Sequence, residues 1–248
     1  MNVVVTAGGT IAPIDDVRHI VNASTGRFGA AIAEAALRRG AEVWHVHAPA
    51  ALLPFRRLAH LDLDADPAAE AARLDRLRAD WLAHRDRLHP VPLAIGTVAE
   101  YADRLEATLR GRPVDVIFLA MAASDFAPVV MPGKLPSDSE TLTLHCRRLP
   151  KVIRSVRDWS PAGYLVGFKL LSDAPEPELI RQAQVGCLAN RADLTVANDL
   201  RTVRAGRHVI HLVRPGSPPE TIGPDEPVAD RLVARAFAWA SEKRGRAG

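Results

Sequence analysis

The stretch NVVVTAGGT, residues 2–10, is a short run rich in β-branched residues that closes on two glycines. Such a run predicts a buried strand of a parallel sheet that leads into a tight turn. TGRFGAAIAEAALRRG, residues 25–40, follows with small and apolar residues at helical spacing, and AEVWHVHAP, residues 41–49, predicts a second strand. Strand, glycine turn, helix and strand together indicate a βαβ unit.

The connection inside this unit is unusual. Ser24 or Thr25 is expected to cap the helix, and Gly40 is expected to end it. Before the helix comes APIDDVRHIVNAS, residues 12–24, which we interpret as too polar for a strand and too long for an idle βα loop. The segment is therefore a candidate functional loop.

Strands and helices alternate along the rest of the chain. Helices are predicted over residues 66–89, 97–112, 150–161, 177–191 and 228–244, and strands over residues 113–128, 141–149, 163–173, 192–200 and 207–216. The alternation predicts one domain over residues 1–248, of the α/β class. Its sheet should be Rossmann-like, doubly wound and mainly parallel, with a small antiparallel β extension.

Composition excludes several classes of protein. The formal net charge is only +3, and no cluster of Lys and Arg is interleaved with aromatic residues, so small anionic ligands are favoured over nucleic acid. Cys146 and Cys187 lie far apart without metal-ligand spacing, which predicts reduced thiols, no protein metal site and a cytoplasmic location. No apolar run approaches 18 residues, so no membrane span is expected.

The glycine turn is the first candidate site. Gly8, Gly9 and Thr10 follow a strand at the edge where open α/β sheets bind ligands, and backbone N–H groups there could hold an anion together with the helix N-terminus. A purely structural role in a tight turn explains the glycines equally well. The spacing fits neither the dinucleotide fingerprint nor a P-loop.

The loop before the helix adds charged and amide groups. Asp15 and Arg18 could form a local ion pair that holds the loop, or could bind a substrate. Asn22 could be only a helix cap. Its carboxamide could also donate to a carboxylate or acyl phosphate oxygen without adding charge.

The third candidate site is AMAASDFAPVVMPGKLPS, residues 120–137. Small residues at the end of a strand allow a flat ligand to approach the backbone, and Asp125 can accept a hydrogen bond from a ribose or a base amine. Lys134 lies on a loop rich in Gly and Pro, where it could neutralise a phosphate or could simply be solvated.

In this order, the segments resemble the phosphopantothenoylcysteine synthetases, which are phosphopantothenate–cysteine ligases. Residues 6–43 match the family pattern Gly-Gly/Pro-Thr, then Glu-Pro-hydrophobic-Asp-x-Val-Arg, then Asn-x-Ser-Ser-Gly-x-x-Gly. Further similarity lies in AMAASDFAP with GKLPS, in residues 147–173 and in ADLTVANDL. The resemblance covers nearly the whole chain except residues 66–89.

The resemblance implies a ligase of coenzyme A biosynthesis. Such an enzyme activates the carboxylate of 4′-phosphopantothenate with ATP or CTP as an acyl-nucleotidylate, and cysteine then displaces the nucleotide to form an amide. It implies catalytic roles for Asn22 and Lys134. The implied substrate-binding residues are Asp15, Arg18, Ser24, Thr25 and Gly26, and the implied nucleotide-binding residues are Gly8, Gly9, Thr10, Ala122, Ala123, Asp125, Phe168 and Lys169.

The resemblance further implies Mg²⁺ on the triphosphate, a homodimer with shared sites, and a stand-alone ligase without FMN. The chain departs from the family at Ala12, where Glu is frequent, and at Thr25, which replaces a Ser. Asn190 stands where bacterial enzymes have a phosphate-binding lysine, and Lys169 is a candidate replacement for that charge. The choice between ATP and CTP stays open.

Two alternatives from other classes are a Rossmann-type NAD(P)-dependent oxidoreductase and a non-catalytic nucleotide-binding protein. The oxidoreductase would need a Tyr-x-x-x-Lys pair or equivalent residues, and neither Tyr101 nor Tyr164 has that spacing. The non-catalytic protein would be favoured if Asn22 and Lys134 proved dispensable.

Overall fold

A computed structural model describes residues 1–135, 138 and 140–247 of the chain. Within these residues the strands are β1 (Asn2–Ala7), β2 (Ile11–Pro13), β3 (His19–Val21), β4 (Glu42–His47), β5 (Leu88–Pro92), β6 (Val116–Leu119), β7 (Phe126–Pro128), β8 (Cys146–Arg148), β9 (Tyr164–Leu171), β10 (Leu194–Asp199), β11 (Ile210–Val213) and β12 (Glu220–Ile222). The α-helices are α1 (Arg27–Arg38), α2 (Pro67–His84), α3 (Val98–Arg110), α4 (Val156–Trp159), α5 (Glu176–Ala189), α6 (Leu200–Arg204) and α7 (Val228–Ala247).

Eight of these strands form one sheet in the order β12-β11-β10-β9-β6-β1-β4-β5. The six strands from β10 to β5 are parallel, and β11 and β12 extend the sheet antiparallel at one edge. The six parallel strands follow the Rossmann order 3-2-1-4-5-6 when they are counted along the chain. The predicted fold class, including its small antiparallel extension, is confirmed.

Helices cover both faces of the sheet. On one face, α1 and α7 pack on Val3, Val5 and Phe118. On the other face, α3, α4 and the C-terminal part of α5 pack on Val4 and Ile117. Successive β-branched residues of β1 therefore enter opposite cores, as a continuous apolar strand of a parallel sheet requires.

Several predicted elements differ from the structure. Helix α1 has Gly26 at its N-cap with φ 74° and no side-chain cap, so the expected cap at Ser24 or Thr25 is wrong, whereas Gly40 does follow its end with φ 78°. The loop at residues 12–24, interpreted as too polar for a strand, contains the antiparallel pair β2–β3. Its polar residues lie in the turn and leave only three-residue strands on either side.

The lengths of two other elements were also wrong. The helix predicted over residues 66–89 ends at His84, and Leu88 begins β5, a strand containing two prolines at the sheet edge beside β4. Proline is tolerated there because an edge strand needs fewer ladder donors. Of the strand predicted over residues 141–149, only Cys146–Arg148 pairs, antiparallel with β7.

Candidate active site

The first candidate residues meet where β1 and β6 lie side by side in the sheet. Gly9 and Ala122 form a parallel bridge beyond the two strands. Ala122 N donates to Gly8 O at 2.9 Å, and Thr10 N donates to Ala122 O at 3.1 Å. The order of strands reverses at this point, and α/β sheets place ligands in the crevice at such a switch. The structure therefore brings Gly8–Thr10 and Ala122 together at the expected edge.

The glycines of this edge are required by close packing. A Cβ on Gly9 would lie 2.1 Å from the carbonyl oxygen of Asn22. Gly8 has φ 97°, and a Cβ on Gly26 would lie 3.1 Å from Gly8 N. The two glycine turns thus touch each other at the position where α/β sheets form their ligand-binding crevice. The structural explanation of the glycines holds here, because Gly8, Gly9 and Gly26 are all buried where the two turns meet.

At the N-terminus of α1, Gly26 N donates to Ser24 Oγ at 3.5 Å and Arg27 N donates to Thr25 Oγ1 at 3.4 Å. The amide of Thr10, predicted as an anion donor, is engaged by Ala122 O. The first N–H groups of a helix have no partner inside the helix, and α1 carries no acidic residue in its first turn. An anion is therefore favoured at the α1 N-terminus beside Gly26.

Asn22 lies over the crevice. Its backbone N donates to Thr10 O at 3.3 Å, and its Nδ2 donates to Ala122 O at 3.2 Å. Because α1 begins at Arg27, Asn22 is not the helix cap. The amide is instead a neutral donor and acceptor at the switch point, half-buried between the two glycine turns.

Asp15 is buried, and both of its carboxylate oxygens are engaged. Oδ1 accepts from the backbone N of Val17 at 2.9 Å and of Arg18 at 2.7 Å. Oδ2 accepts from Leu135 N at 3.0 Å and from the Arg18 guanidinium at 3.1 Å. The bond from Leu135, followed by those from Val17 and Arg18, holds the pKa of the Asp15 carboxyl below its usual value. The local ion pair considered from the sequence is present.

These bonds join the β2–β3 turn to the loop that carries Lys134. Asp16 N donates to Gly133 O at 3.1 Å, and Met131 N donates to Ile14 O at 3.0 Å. The Arg18 guanidinium also donates to Leu135 O at 3.3 Å. We call this set of contacts between residues 14–18 and 131–135 the loop clasp. It fixes the backbone on both sides of Lys134, whose side chain is exposed.

Asp125 lies beside the glycine turn, and we call the edge formed by residues 8–10 and 122–125 the rim. Ser124 N donates to Thr10 Oγ1 at 3.0 Å, which places the neighbouring Asp125 beside the glycine turn. The Asp125 carboxylate is exposed and pairs with Lys151 at 3.2 Å. No role was predicted for Lys151, although it belongs to the Pro-Lys pair at residues 150–151. Ala123 is exposed and Ala122 half-buried, so the rim is open to a flat ligand.

An aromatic cluster marks the β9 side of the site. Phe168 is half-buried in β9 and meets Phe28 edge-on, with ring centroids 5.9 Å apart. Phe28 in turn meets His208 at 4.5 Å, and burial lowers the pKa of His208. His208 is a residue that the sequence reasoning missed, because only the fold brings it beside α1. Lys169 follows Phe168 and pairs in register with Ala197 of β10.

Other residues do not line this crevice. Asn190 follows α5 and precedes β10, which puts it at the opposite, amino edge of the sheet. Tyr101 is buried with its pKa raised to about 12, and its hydroxyl bonds to Thr6 Oγ1. Tyr164 begins β9 at the amino edge. The Tyr101 hydroxyl lies near the switch point, because Thr6 Oγ1 also accepts from Met121 N, but Tyr101 is buried. With Tyr164 at the other edge, neither hydroxyl is open to a ligand in the crevice, which disfavours the oxidoreductase alternative.

A cavity of about 470 Å³ lies further along the carboxyl edge, beside α5, α6 and β11. Its walls include Asp173, Asp199, Arg201 and His211, and none of the predicted site residues. Within the described ranges, no cluster of three His, Cys, Asp or Glu side chains could hold a metal ion. No helix in the same ranges is long and apolar enough to cross a bilayer.

Comparison with known proteins relates this chain to a family. Residues 1–76 match the model of the DNA/pantothenate metabolism flavoprotein C-terminal domain. The coenzyme A biosynthesis bifunctional protein CoaBC of Thermococcus kodakarensis is 31% identical over 85% of this chain, and the human phosphopantothenate–cysteine ligase is 30% identical over 69% of it. The alignments cover 44% and 64% of those two proteins, so the chain spans less than two thirds of either.

A solved structure extends the likeness to nearly the full chain. The DNA/pantothenate metabolism flavoprotein from Streptococcus pneumoniae is 28% identical, with a TM-score of 0.76, over 96% of this chain and 99% of that one. Both the sequence and the fold are therefore shared. The chain is a homologue of the phosphopantothenate–cysteine ligases, as its motifs predict.

Proposed function

We propose that this chain is a phosphopantothenate–cysteine ligase of coenzyme A biosynthesis that uses ATP or CTP. The observation that carries the proposal is the meeting of the two glycine turns and Asn22 at the switch point of the sheet. The loop of Lys134 is joined by the loop clasp to the tip of the β2–β3 hairpin that leads to Asn22. The homology supplies the substrate class, and the crevice supplies the groups that a phosphorylated acid and a nucleotide require.

The proposed reaction has two steps. A carboxylate oxygen of 4′-phosphopantothenate attacks the α-phosphorus of the nucleoside triphosphate, and the bond to pyrophosphate breaks. The amine of cysteine then attacks the acyl carbon, loses a proton, and expels the nucleoside monophosphate as the amide forms. Both steps develop charge on phosphate oxygens or on the acyl oxygen, which positioned donors stabilise.

Asn22 and Lys134 would act on these charges. The Asn22 amide adds no charge of its own, so it can donate to the acyl-nucleotidylate without repelling the carboxylate that forms it. Lys134 would stabilise the phosphates as pyrophosphate leaves. Within the part of the chain that the structure describes, its ammonium forms no ion pair, while the loop clasp fixes its backbone.

The remaining residues would bind the two reactants. Ser24, Thr25 and Gly26 would hold a phosphate at the α1 N-terminus. The nucleotide would lie along the rim of Gly8–Thr10 and Ala122–Asp125, with its base toward the aromatic cluster of Phe168 and with Lys169 near its phosphates. Mg²⁺ binds through substrate phosphates and few carboxylates, and Asp125 is the exposed carboxylate of this rim that could contribute.

We also propose a homodimer. The β2–β3 turn and the segment from β7 into the lysine loop expose a group of apolar side chains that a second copy would cover: Val17, Ile20, Val21, Phe126, Val129, Val130 and Met131. Arg18 lies within this surface. A partner subunit seated here would bring Arg18 close to a substrate bound in the neighbouring site, as the family resemblance implies. Asp15, whose carboxylate is buried and fully bonded, would act there by orienting Arg18.

The test is pyrophosphate release by the purified protein with Mg²⁺, 4′-phosphopantothenate and cysteine, with ATP and CTP in separate reactions. Release that requires phosphopantothenate, together with formation of phosphopantothenoylcysteine, supports the proposal, and the faster nucleotide identifies the cosubstrate. A Lys134→Ala variant serves as the matched control. No release with either nucleotide from folded protein contradicts the proposal and favours a non-catalytic nucleotide-binding protein.

A further inference from the structure

A second cavity lies at the amino edge of the sheet, opposite the crevice. It has a volume of about 320 Å³ and is formed by the starts of β9 and β10, the residues after β11 and the last turns of α7. Its walls include Tyr164, Asp193, Arg214, Trp239 and Lys243. Parallel strands separate the two edges by their full length, so this cavity is not part of the proposed ligase site.

Tyr164 brings a polar group without a partner to this cavity. Its side chain is 4% exposed, and its hydroxyl has no hydrogen-bond partner among the described residues. Burial, reinforced by the charge of Asp193, raises the pKa of Tyr164 above its usual value, so the hydroxyl remains a donor. Since nearly all buried polar groups are paired in native proteins, this hydroxyl indicates a missing acceptor.

The charges around the hydroxyl favour an anionic acceptor. Asp193 is already engaged, because it accepts from Arg157, from Lys243 Nζ at 2.9 Å and from Leu165 N at 2.7 Å. The guanidinium of Arg214 lies 4.0 Å from the ring centre of Trp239 and, in the described ranges, joins no carboxylate.

The walls carry three cations, Arg214, Lys243 and Arg246, against the two acids Asp193 and Glu242. With Asp193 already paired, the two arginines leave an excess of positive charge at the cavity. A guanidinium held over an aromatic ring can still direct N–H groups to a planar or tetrahedral oxyanion.

We propose that this amino-edge cavity binds a small phosphate-bearing ligand, with Arg214 and Arg246 holding the phosphate oxygens and the Tyr164 hydroxyl donating to one of them. The volume is roughly ten times the share of about 30 Å³ that one water molecule occupies in the liquid, so an organic group fits beside the phosphate. The proposal does not depend on the ligase reaction, since it rests only on the walls of this cavity.

The experiment uses Trp239 as the reporter. Inorganic phosphate is titrated into the full chain at constant ionic strength, with tryptophan fluorescence as the readout, and parallel titrations use glycerol 3-phosphate and acetate. The wild type should show a saturable change that disappears in Trp239→Phe. The dissociation constant should rise at least tenfold in Arg214→Gln and several-fold in Tyr164→Phe. Arg181→Gln, an exposed arginine on α5 outside the cavity, is the matched control and should titrate as the wild type.

Tighter binding of glycerol 3-phosphate than of inorganic phosphate would show that the organic group contributes. Acetate binding as tightly as phosphate would overturn the phosphate assignment. Wild-type titration curves in both Arg214→Gln and Tyr164→Phe would overturn the site itself. Tyr164→Phe removes a buried hydroxyl that has no partner in the described residues, so its melting temperature without phosphate should equal or exceed that of the wild type, which keeps its result interpretable.

Discussion

Two sets of polar residues lie at the carboxyl edge of the sheet, and the protein engages them differently. Asp15 is buried, and its carboxylate accepts bonds from three backbone amides and one guanidinium. Asn22 is half-buried with one side-chain bond, and Lys134 is exposed. The first set is committed to holding the loop clasp. The second set is held in place by its backbone and leaves side-chain groups for reactants.

The strongest test of this difference is the removal of Lys134. A Lys134→Ala variant should lose about 100-fold to 1000-fold in kcat, as expected when one group that stabilises developing charge is deleted. Because the side chain is exposed, the melting temperature should stay unchanged. Steady-state kinetics measures the loss in kcat, and thermal unfolding measures the melting temperature. As the control, Lys134→Arg should retain much of the rate. If Lys134→Ala lowered the melting temperature together with kcat, Lys134 would have a structural role instead.

Asn22→Asp should have the next largest effect. A carboxylate at this position would repel the bound carboxylate and the acyl-nucleotidylate, so we expect kcat to fall by about 100-fold. Asn22→Ala is the control, because it removes the bond to Ala122 O without adding charge, and it should cost less. Unchanged steady-state rates in Asn22→Asp would refute a contact with the acyl group.

Asp15→Asn should affect both the loop clasp and the position of Lys134. One amide oxygen cannot accept all of the bonds from Leu135, Val17 and Arg18, so the loop clasp should loosen. We expect a lower melting temperature and a fall in kcat of about tenfold, with Lys134 less well positioned. An unchanged rate in a destabilised variant would separate the clasp from catalysis.

The same variant has a pH signature. The native pKa of Asp15 lies below its usual value, so its contribution to stability is full above pH about 4 and is lost as the pH falls through the native pKa. The difference in melting temperature between wild type and Asp15→Asn should therefore shrink as the pH is lowered from 5 toward 3. A difference that stays constant over this range would contradict the assigned charge.

Lys169→Ala is expected to give the smallest change. Asn190 lies at the opposite edge of the sheet, so Lys169 does not take over the position of that family lysine. If Lys169 contacts the nucleotide phosphates, its loss should weaken triphosphate affinity several-fold with little change in kcat. Titration of the nucleotide against the variant measures this directly, and full triphosphate affinity would refute a phosphate contact of Lys169.

The sequence predicted the scaffold better than the clasp. The β1, α1 and β4 elements carry their own periodicity and turn residues, so local patterns were sufficient. Strands β2 and β3 have three residues each. They are too short to show a strand pattern, and the polar residues of the turn between them made the whole segment resemble a loop. The position of Asp15 depends on Leu135, which is 120 residues away, and no local pattern reports such a contact.

The site residues follow the same rule. Gly8, Gly9 and Asn22 could be proposed from the sequence because all three lie in the one connection between β1 and α1. The aromatic neighbours Phe28 and His208 come from segments far apart in the chain. Asp125 pairs with Lys151, and this ion pair forms because β7 and β8 are antiparallel neighbours.

The most direct test of the central claim follows an oxygen atom. The protein is incubated with 4′-phosphopantothenate labelled with ¹⁸O in its carboxylate, together with cysteine, Mg²⁺ and the preferred nucleotide, and the products are analysed by mass spectrometry. The proposed acyl-nucleotidylate predicts one ¹⁸O in the nucleoside monophosphate and none in pyrophosphate. Label in inorganic phosphate or pyrophosphate, or an unlabelled monophosphate formed with the amide, would contradict it.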